Sequence, residues 1–241
     1  MNVRELSAFL PEAVRENGYA FVRTGGLTKR QFMSLGKRFG DIWDPAFPIF
    51  SIHHVPSRSY HSNALGNHAL PAHCECAYEL VPPRYLFLYC DGASRDGGEF
   101  YVISMNDIVG RLREADRAAL RTTRYATTSP STGVTTERLL LPKVNGVGDV
   151  LALLPIPRPG QTVSYALPAG RDAAAKRLLR RVADAAADPS LRIVHRWRRG
   201  DLAVIDNARF LHGREGFEGK TRHLWHLRIG RFRAHSPIRR R

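Results

Sequence analysis

From residue 49 onward the chain is a succession of short runs rich in β-branched and aromatic residues, separated by stretches with Pro, Gly and Asn. They are Ile49 to His53, Arg84 to Cys90, Glu99 to Ile103, Thr122 to Thr127, Val150 to Leu154, Thr162 to Ala166, Leu191 to Trp197, Leu202 to Ile205 and Arg222 to Phe232. Runs of this length bury their side chains by pairing into sheets. The fold class is therefore mainly β with accessory helices.

The helices stand at recognisable places. Val3, Leu6, Phe9, Leu10 and Val14 recur at helical spacing until Asn17-Gly18 stops them, and Tyr19 to Val22 then reads as a strand. Thr28 caps a second amphipathic segment, carrying Phe32, Leu35 and Phe39 and ending at Gly40. A third helix is expected from Arg171 to Ala187, with Leu178, Leu179 and Val182 on its buried side. With 241 residues and 43% apolar content, one core suffices, so residues 1–241 read as a single domain. The Gly- and Pro-rich stretch 142–170 has no strong period and reads as a loop or lid over a site.

Charge narrows the partners. The formal net charge is +15, with Arg outnumbering Lys 32 to 5, and the stretch from Arg196 to Arg241 holds thirteen basic residues against four acidic ones. The closing Arg239-Arg240-Arg241 reads as a solvated tail; a functional basic face there would suit an acidic carrier protein or nucleic acid. Nucleic acid is disfavoured, because no aromatic residues interleave with the basic ones in a stacking pattern. Three cysteines exclude a disulfide framework. No apolar run is long enough to span a bilayer, and Met1 to Leu10 lacks a signal peptide's basic start, so the expectation is a soluble, cytoplasmic protein without membrane contact.

Two segments carry candidate chemistry. In PAHCECAYELVPPRYLFLYC, residues 71 to 90, His73 and Glu75 are two apart; on an extended backbone they would share a face and could grip one ion. In RGDLAVIDNARFLHGREGFEGKTRHLWHLRI, residues 199 to 229, His212 is expected in a polar turn after a strand. A histidine, a carboxylate two residues on and a distant second histidine make up the 2-His-1-carboxylate triad, which leaves positions open on a non-haem iron. A closed thiolate zinc site needs a second Cys/His pair of suitable spacing, which the chain lacks. Cys74 and Cys76 are expected to face away from His73 and Glu75 as small apolar fillers.

The pairing of HxE with GDxxxxDNxxxxHGR, the helix-strand-helix opening, the PPRYLFLYC strand and Gly97-Gly98-Glu99 together cover about half the chain. In these the sequence resembles the taurine dioxygenase and clavaminate synthase group of Fe(II)/2-oxoglutarate-dependent oxygenases. The resemblance implies a double-stranded β-helix, or jelly roll, with His73, Glu75 and His212 on iron. It also implies Arg222, ten residues beyond His212, as the anchor for the distal carboxylate of 2-oxoglutarate, a task that suits the guanidinium fork. Leu224, His226 and Arg228 would share the inward face of the closing strand with it.

Two departures from the family pattern stand out. Phe100 occupies a position where related sequences often carry a Thr that assists the cosubstrate, and His226 stands where a second Arg often faces substrate. Glu75 is retained, whereas members that halogenate replace it with a small residue. The implied activity is oxidation, foremost hydroxylation, of an unactivated carbon of a small polar, amino-acid-like substrate, consuming dioxygen and 2-oxoglutarate and releasing succinate and carbon dioxide. Tyr78, His226 and Arg228 are the candidate substrate contacts, and Asp206 with Asn207 is expected to fix the loop presenting His212. The competing readings are a non-catalytic jelly roll whose basic C-terminal face binds nucleic acid or an acidic carrier protein, and a metal hydrolase, which would have no use for Arg222.

Overall fold

The computed structural model describes residues 1–54, 65–77, 79, 81–128, 135–144, 147–152, 165–166, 172–219 and 221–232. In chain order the first elements are α1 (Val3–Asn17), β1 (Tyr19–Arg23), α2 (Lys29–Lys37), β2 (Ile49–His53), β3 (Leu70–His73), β4 (Tyr85–Gly92) and β5 (Phe100–Ser104). Two short helices follow, α3 (Met105–Arg111) and α4 (Glu114–Thr122), then β6 (Arg124–Thr128), β7 (Thr135–Leu139), β8 (Lys143–Val144), β9 (Gly148–Asp149) and β10 (Tyr165–Ala166). Helix α5 (Asp172–Ala187) and a 3-10 turn (Pro189–Leu191) lead into β11 (Ile193–His195), β12 (Asp201–Asp206), β13 (Phe210–Arg214) and β14 (His223–Ile229).

Two antiparallel sheets form the jelly roll: a five-stranded one in the order β1-β12-β4-β14-β2 and a four-stranded one in the order β11-β5-β13-β3. Strand β4 shows how the sequence builds the layers. Its alternate residues Leu86, Leu88 and Cys90 enter a core with Phe100, Val102, Ala203, Ile205, Phe210 and Leu224, between the sheets. Phe87 and Tyr89, pointing the other way, pack with Leu6, Leu10, Phe32 and Leu35 of α1 and α2. Tyr101, Ile103 and Leu211, on the outer face of the smaller sheet, are covered by Ile108, Leu120, Leu178 and Val182 from α3, α4 and α5. Each fully buried Leu or Phe contributes about 1.5–3 kcal/mol.

The first two helices start where the sequence says, because their signals are local. Asn2 accepts from the Glu5 N–H at 3.0 Å while its own N–H donates to Glu5 Oε2 at 2.9 Å, and Thr28 with Gln31 repeats the arrangement. Gly18 closes α1 at φ +82°, where a Cβ would stand 2.3 Å from the Phe210 ring.

Several expectations need correction. Residues 150–152 form no strand; Val150 and Leu151 pack instead into the core beneath α3 to α5, and 153–154 lie outside the described residues. Of 162–166 only β10 is described, paired with β6. Leu191 closes the 3-10 turn, so β11 is shorter than the run Leu191 to Trp197. Helices α3 and α4, of seven and nine residues, are not anticipated from the sequence; α4 lacks a side-chain cap like the one that marks α2, a helix of the same length. Arg171, much of the stretch 142–170 and Arg239 to Arg241 also lie outside the described residues. Among the described residues no helix is long and apolar enough to cross a membrane.

Candidate active site

Strand β13 brings a correction with consequences for function: His212 lies in its middle, among five buried residues, and not in a turn. Asn207 before it and Gly213 within it suggest a turn to the eye. Gly213 has another purpose, since a Cβ there would lie 2.3 Å from the Tyr101 ring and hydroxyl. The neighbouring β3 runs antiparallel to β13 and places His73 directly opposite His212. Their ring centroids are 4.2 Å apart, and both residues are buried.

Glu75 completes the group by a route the sequence does not show. Strand β3 ends at His73, residues 75–77 turn, and Cys76 takes φ +52°, so strict extended alternation does not bring His73 and Glu75 together. Asn207, fully buried, holds the turn: its Oδ1 accepts from the Glu75 N–H at 2.8 Å, and its Nδ2 donates to the Glu75 carbonyl at 3.1 Å and the Pro83 carbonyl at 2.9 Å. Asn207 was expected to fix the segment presenting His212; its side chain fixes the one presenting Glu75. Beside it Asp206 accepts from Arg84 at 2.6 Å and from the Ala208 N–H at 3.0 Å.

The result is one converging set of donors. Glu75 Oε2 lies 3.6 Å from His73 Nε2 and 3.8 Å from His212 Nε2, beyond hydrogen-bonding range, and one ligand atom from each residue falls within 4.8 Å of the others. His73 Nδ1 lies 3.0 Å from the Pro71 carbonyl. A carbonyl only accepts, so Nδ1 is the donor in this contact and Nε2 is the ring nitrogen turned toward the group. Burial alone pushes the Glu75 carboxyl up, but contact with His73 and the charges of His226, His212 and His73 outweigh it and hold the carboxyl well below its ordinary range. Burial, with His73 and His226 nearby, pushes His212 well below its ordinary value. A carboxylate and neutral imidazoles are the forms a divalent metal takes, and the donor set fits one.

The third component is a buried cation. Arg222, just before β14, is buried, and its Nε and Nη1 have no hydrogen-bond partner among the described residues. Burial and the neighbouring Arg214 draw it down to about 9, which leaves it protonated at neutral pH. Its guanidinium carbon lies 5.3 Å from the Phe217 ring centroid, and that of Arg214, on the same ring, 4.8 Å. A buried charge of this kind calls for an anion. Phe100 is buried between the sheets, 5.8 Å from the His212 ring by centroids, and brings no hydroxyl to that anion.

Leu224 and His226 do share the inward face of β14. His226 is buried, with Nε2 unpartnered among the described residues, and burial, with Arg228 and His73 nearby, pushes it down to about 4. Arg228 reaches Cys76 Sγ at 3.3 Å and Asp44 Oδ2 at 3.7 Å. Cys76 therefore belongs to the site, its Sγ 3.7 Å from Glu75 Oε1, against the expectation that both cysteines face away. Cys74 does face the opposite core. Tyr78 lies outside the described residues.

No curated protein matches the chain. Among solved structures, PvcB, an Fe, alpha-ketoglutarate dependent oxygenase from an isonitrile synthetic pathway, is 20% identical with a TM-score of 0.75, over 100% of this chain and 86% of that one. An asparagine oxygenase in complex with Fe(II), 2S,3S-3-hydroxyasparagine and succinate is 18% identical with a TM-score of 0.70, over 94% and 78%. A taurine dioxygenase from Burkholderia xenovorans is 17% identical, also at 0.70, over 97% and 86%. Such likenesses show a common fold. The family is fixed by the sequence itself: residues 2–228, a span that includes the His73, Glu75 and His212 group and Arg222, match the family model for taurine catabolism dioxygenases, and the chain belongs to this TauD, TfdA family.

Proposed function

We propose that the chain is an Fe(II)/2-oxoglutarate-dependent dioxygenase that oxidises, most simply by hydroxylation, an unactivated carbon of a small polar, amino-acid-like substrate. The observation that carries this reading is the convergence of His73, Glu75 and His212 within 4.8 Å. These three would hold Fe(II), and Arg222 would hold the distal carboxylate of 2-oxoglutarate. When bound, iron and cosubstrate supply the oxidising chemistry, using dioxygen and releasing succinate and carbon dioxide. The asparagine oxygenase, solved with a hydroxylated amino acid and succinate, supports the substrate class.

The chain's own residues do the positioning. The hydrogen bond from His73 Nδ1 to Pro71 keeps Nε2 aimed inward, and Asn207 anchors the backbone of Glu75 on both sides. Phe100, Trp197 and Leu224 are buried in the core between the sheets, Phe100 beside His212, and would help keep water from the reacting carbon. His226, neutral and inward-facing, offers substrate a hydrogen bond; Arg228 offers a charge, and Tyr78 is the third substrate contact in this reading. Residues 1–241 would act as one oxygenase domain in the cytoplasm, which suits three buried free thiols.

Absorption decides the matter. Anaerobic protein given Fe(II) and 2-oxoglutarate should develop the weak visible charge-transfer band of a chelated 2-oxo acid, and aerobic incubation with its substrate should yield succinate. Protein that binds Fe(II) and gives neither signal is no such oxygenase.

A further inference from the structure

Resting on that oxygenase reading, we propose that Arg228, Asp44 and Trp43 form a clamp for the zwitterionic head of a free α-amino acid, with Arg228 taking the carboxylate and Asp44 the ammonium. The ammonium and carboxylate of an α-amino acid hang on one carbon. A receptor for both must present its anion and its cation side by side. Arg228 Nη2 and Asp44 Oδ2 stand 3.7 Å apart, close enough to face one such head and beyond a direct hydrogen bond.

The clamp is built rather than incidental. Asp44 Oδ1 accepts from the Phe47 N–H at 3.3 Å, which fixes the carboxylate and leaves Oδ2 toward Arg228. The Trp43 N–H donates to the Arg228 carbonyl at 2.9 Å, its Nε1 donates to the Val81 carbonyl at 2.8 Å, and its ring lies 4.6 Å from the Arg228 guanidinium carbon. The loop after α2 is thus stapled to the end of β14, and Arg231 adds a bond to the Trp43 carbonyl at 2.8 Å. The cluster also lies at the right place. Glu75 turns Oε2 toward the two imidazoles, while Oε1 lies 3.7 Å from Cys76 Sγ, which lies 3.3 Å from Arg228 Nη1. One side chain separates the clamp from the triad, so a head held there brings its first carbons to the triad's side.

The competing reading is an internal ion pair that merely holds the loop. Anaerobic calorimetry on protein carrying Fe(II) and 2-oxoglutarate separates the two, using the twenty standard L-amino acids and the N-acetyl and methyl-ester forms of each that binds. At least one free amino acid should bind, and each blocked form should bind at least about tenfold more weakly, as expected for loss of a charge-assisted contact. In Asp44→Asn the penalty for N-acetylation should vanish, and in Arg228→Gln the penalty for esterification. A purely structural pair would instead weaken free and blocked forms alike, and that result overturns the clamp. So does a normal 2-oxoglutarate absorption band in wild-type protein with no amino acid bound. Absence of the band in the wild type overturns the oxygenase reading and the clamp with it. Should Arg228→Gln fail to fold, Asp44→Asn decides alone, since its arm needs no change at the arginine.

Discussion

His73 and His212 face each other across the β3–β13 ladder with ring centroids 4.2 Å apart, and this single cross-strand pair sets where a metal can sit. Replacing either histidine, or Glu75, with Ala removes one of three converging donors. Each variant should lose the 2-oxoglutarate charge-transfer band or nearly so, while His226→Ala should keep it. A His212→Ala protein that binds Fe(II) and cosubstrate normally would show that the ligands lie elsewhere.

Among the described residues Arg222 has two nitrogens without a hydrogen-bond partner, and its charge is buried, so the fold gains little from it. Arg222→Leu should leave the melting temperature of the metal-free protein unchanged or higher. The same variant should need at least about tenfold more 2-oxoglutarate, because a charge-assisted hydrogen bond is worth roughly 1.5–3 kcal/mol. Iron affinity should hardly move. An unaltered cosubstrate requirement, with the loss appearing in Arg228→Gln, would shift the anchor along the strand.

These residues were legible in the sequence for uneven reasons. Capping signals act within four residues, so the start of α2 could be read directly from Thr28, whereas α1 was legible from its apolar spacing and its Asn2–Glu5 capping box emerged only from the structure. His73 and Glu75 stand out in the sequence by type and spacing, yet the geometry that brings them together depends on Cys76 at φ +52° and on Asn207, 132 residues from Glu75. No local rule contains that contact. Strand β13 was hidden because Gly213 reads as a turn unless the Tyr101 ring beside it is known. Trp43 and Asp44 carry no motif at all, and only the fold brings them to Arg228.

His195 gives a pH dependence away from the metal-binding group. It stacks on Phe21 at 4.7 Å and lies 3.2 Å from Asp201; burial lowers its proton affinity more than Asp201 restores it. With the folded value below the ordinary 6.5, the unfolded chain binds the extra proton first, so this contribution is complete above 6.5 and fades as the pH falls beneath it. Urea midpoints taken from pH 7 downward should therefore fall less steeply for His195→Gln than for the wild type. Equal slopes would mean that His195 does not contribute to the acid sensitivity.

Asn207 couples the stability of the fold to the metal site. Its side chain makes three hydrogen bonds, all to backbone, and Asn207→Ala would leave the Glu75 N–H and the Glu75 and Pro83 carbonyls without them. At about 0.5–1.5 kcal/mol for each of the three bonds, the variant should lose roughly 1.5–4.5 kcal/mol in urea unfolding. The turn carrying Glu75 would loosen as well, and groups that orient metal ligands typically change affinity by about 10–100-fold. Asn207→Asp keeps the acceptor for the Glu75 N–H but cannot donate to either carbonyl. It should therefore fall between wild type and Ala in metal affinity, and an Ala variant with reduced stability but unchanged Fe(II) affinity would confine Asn207 to holding the fold.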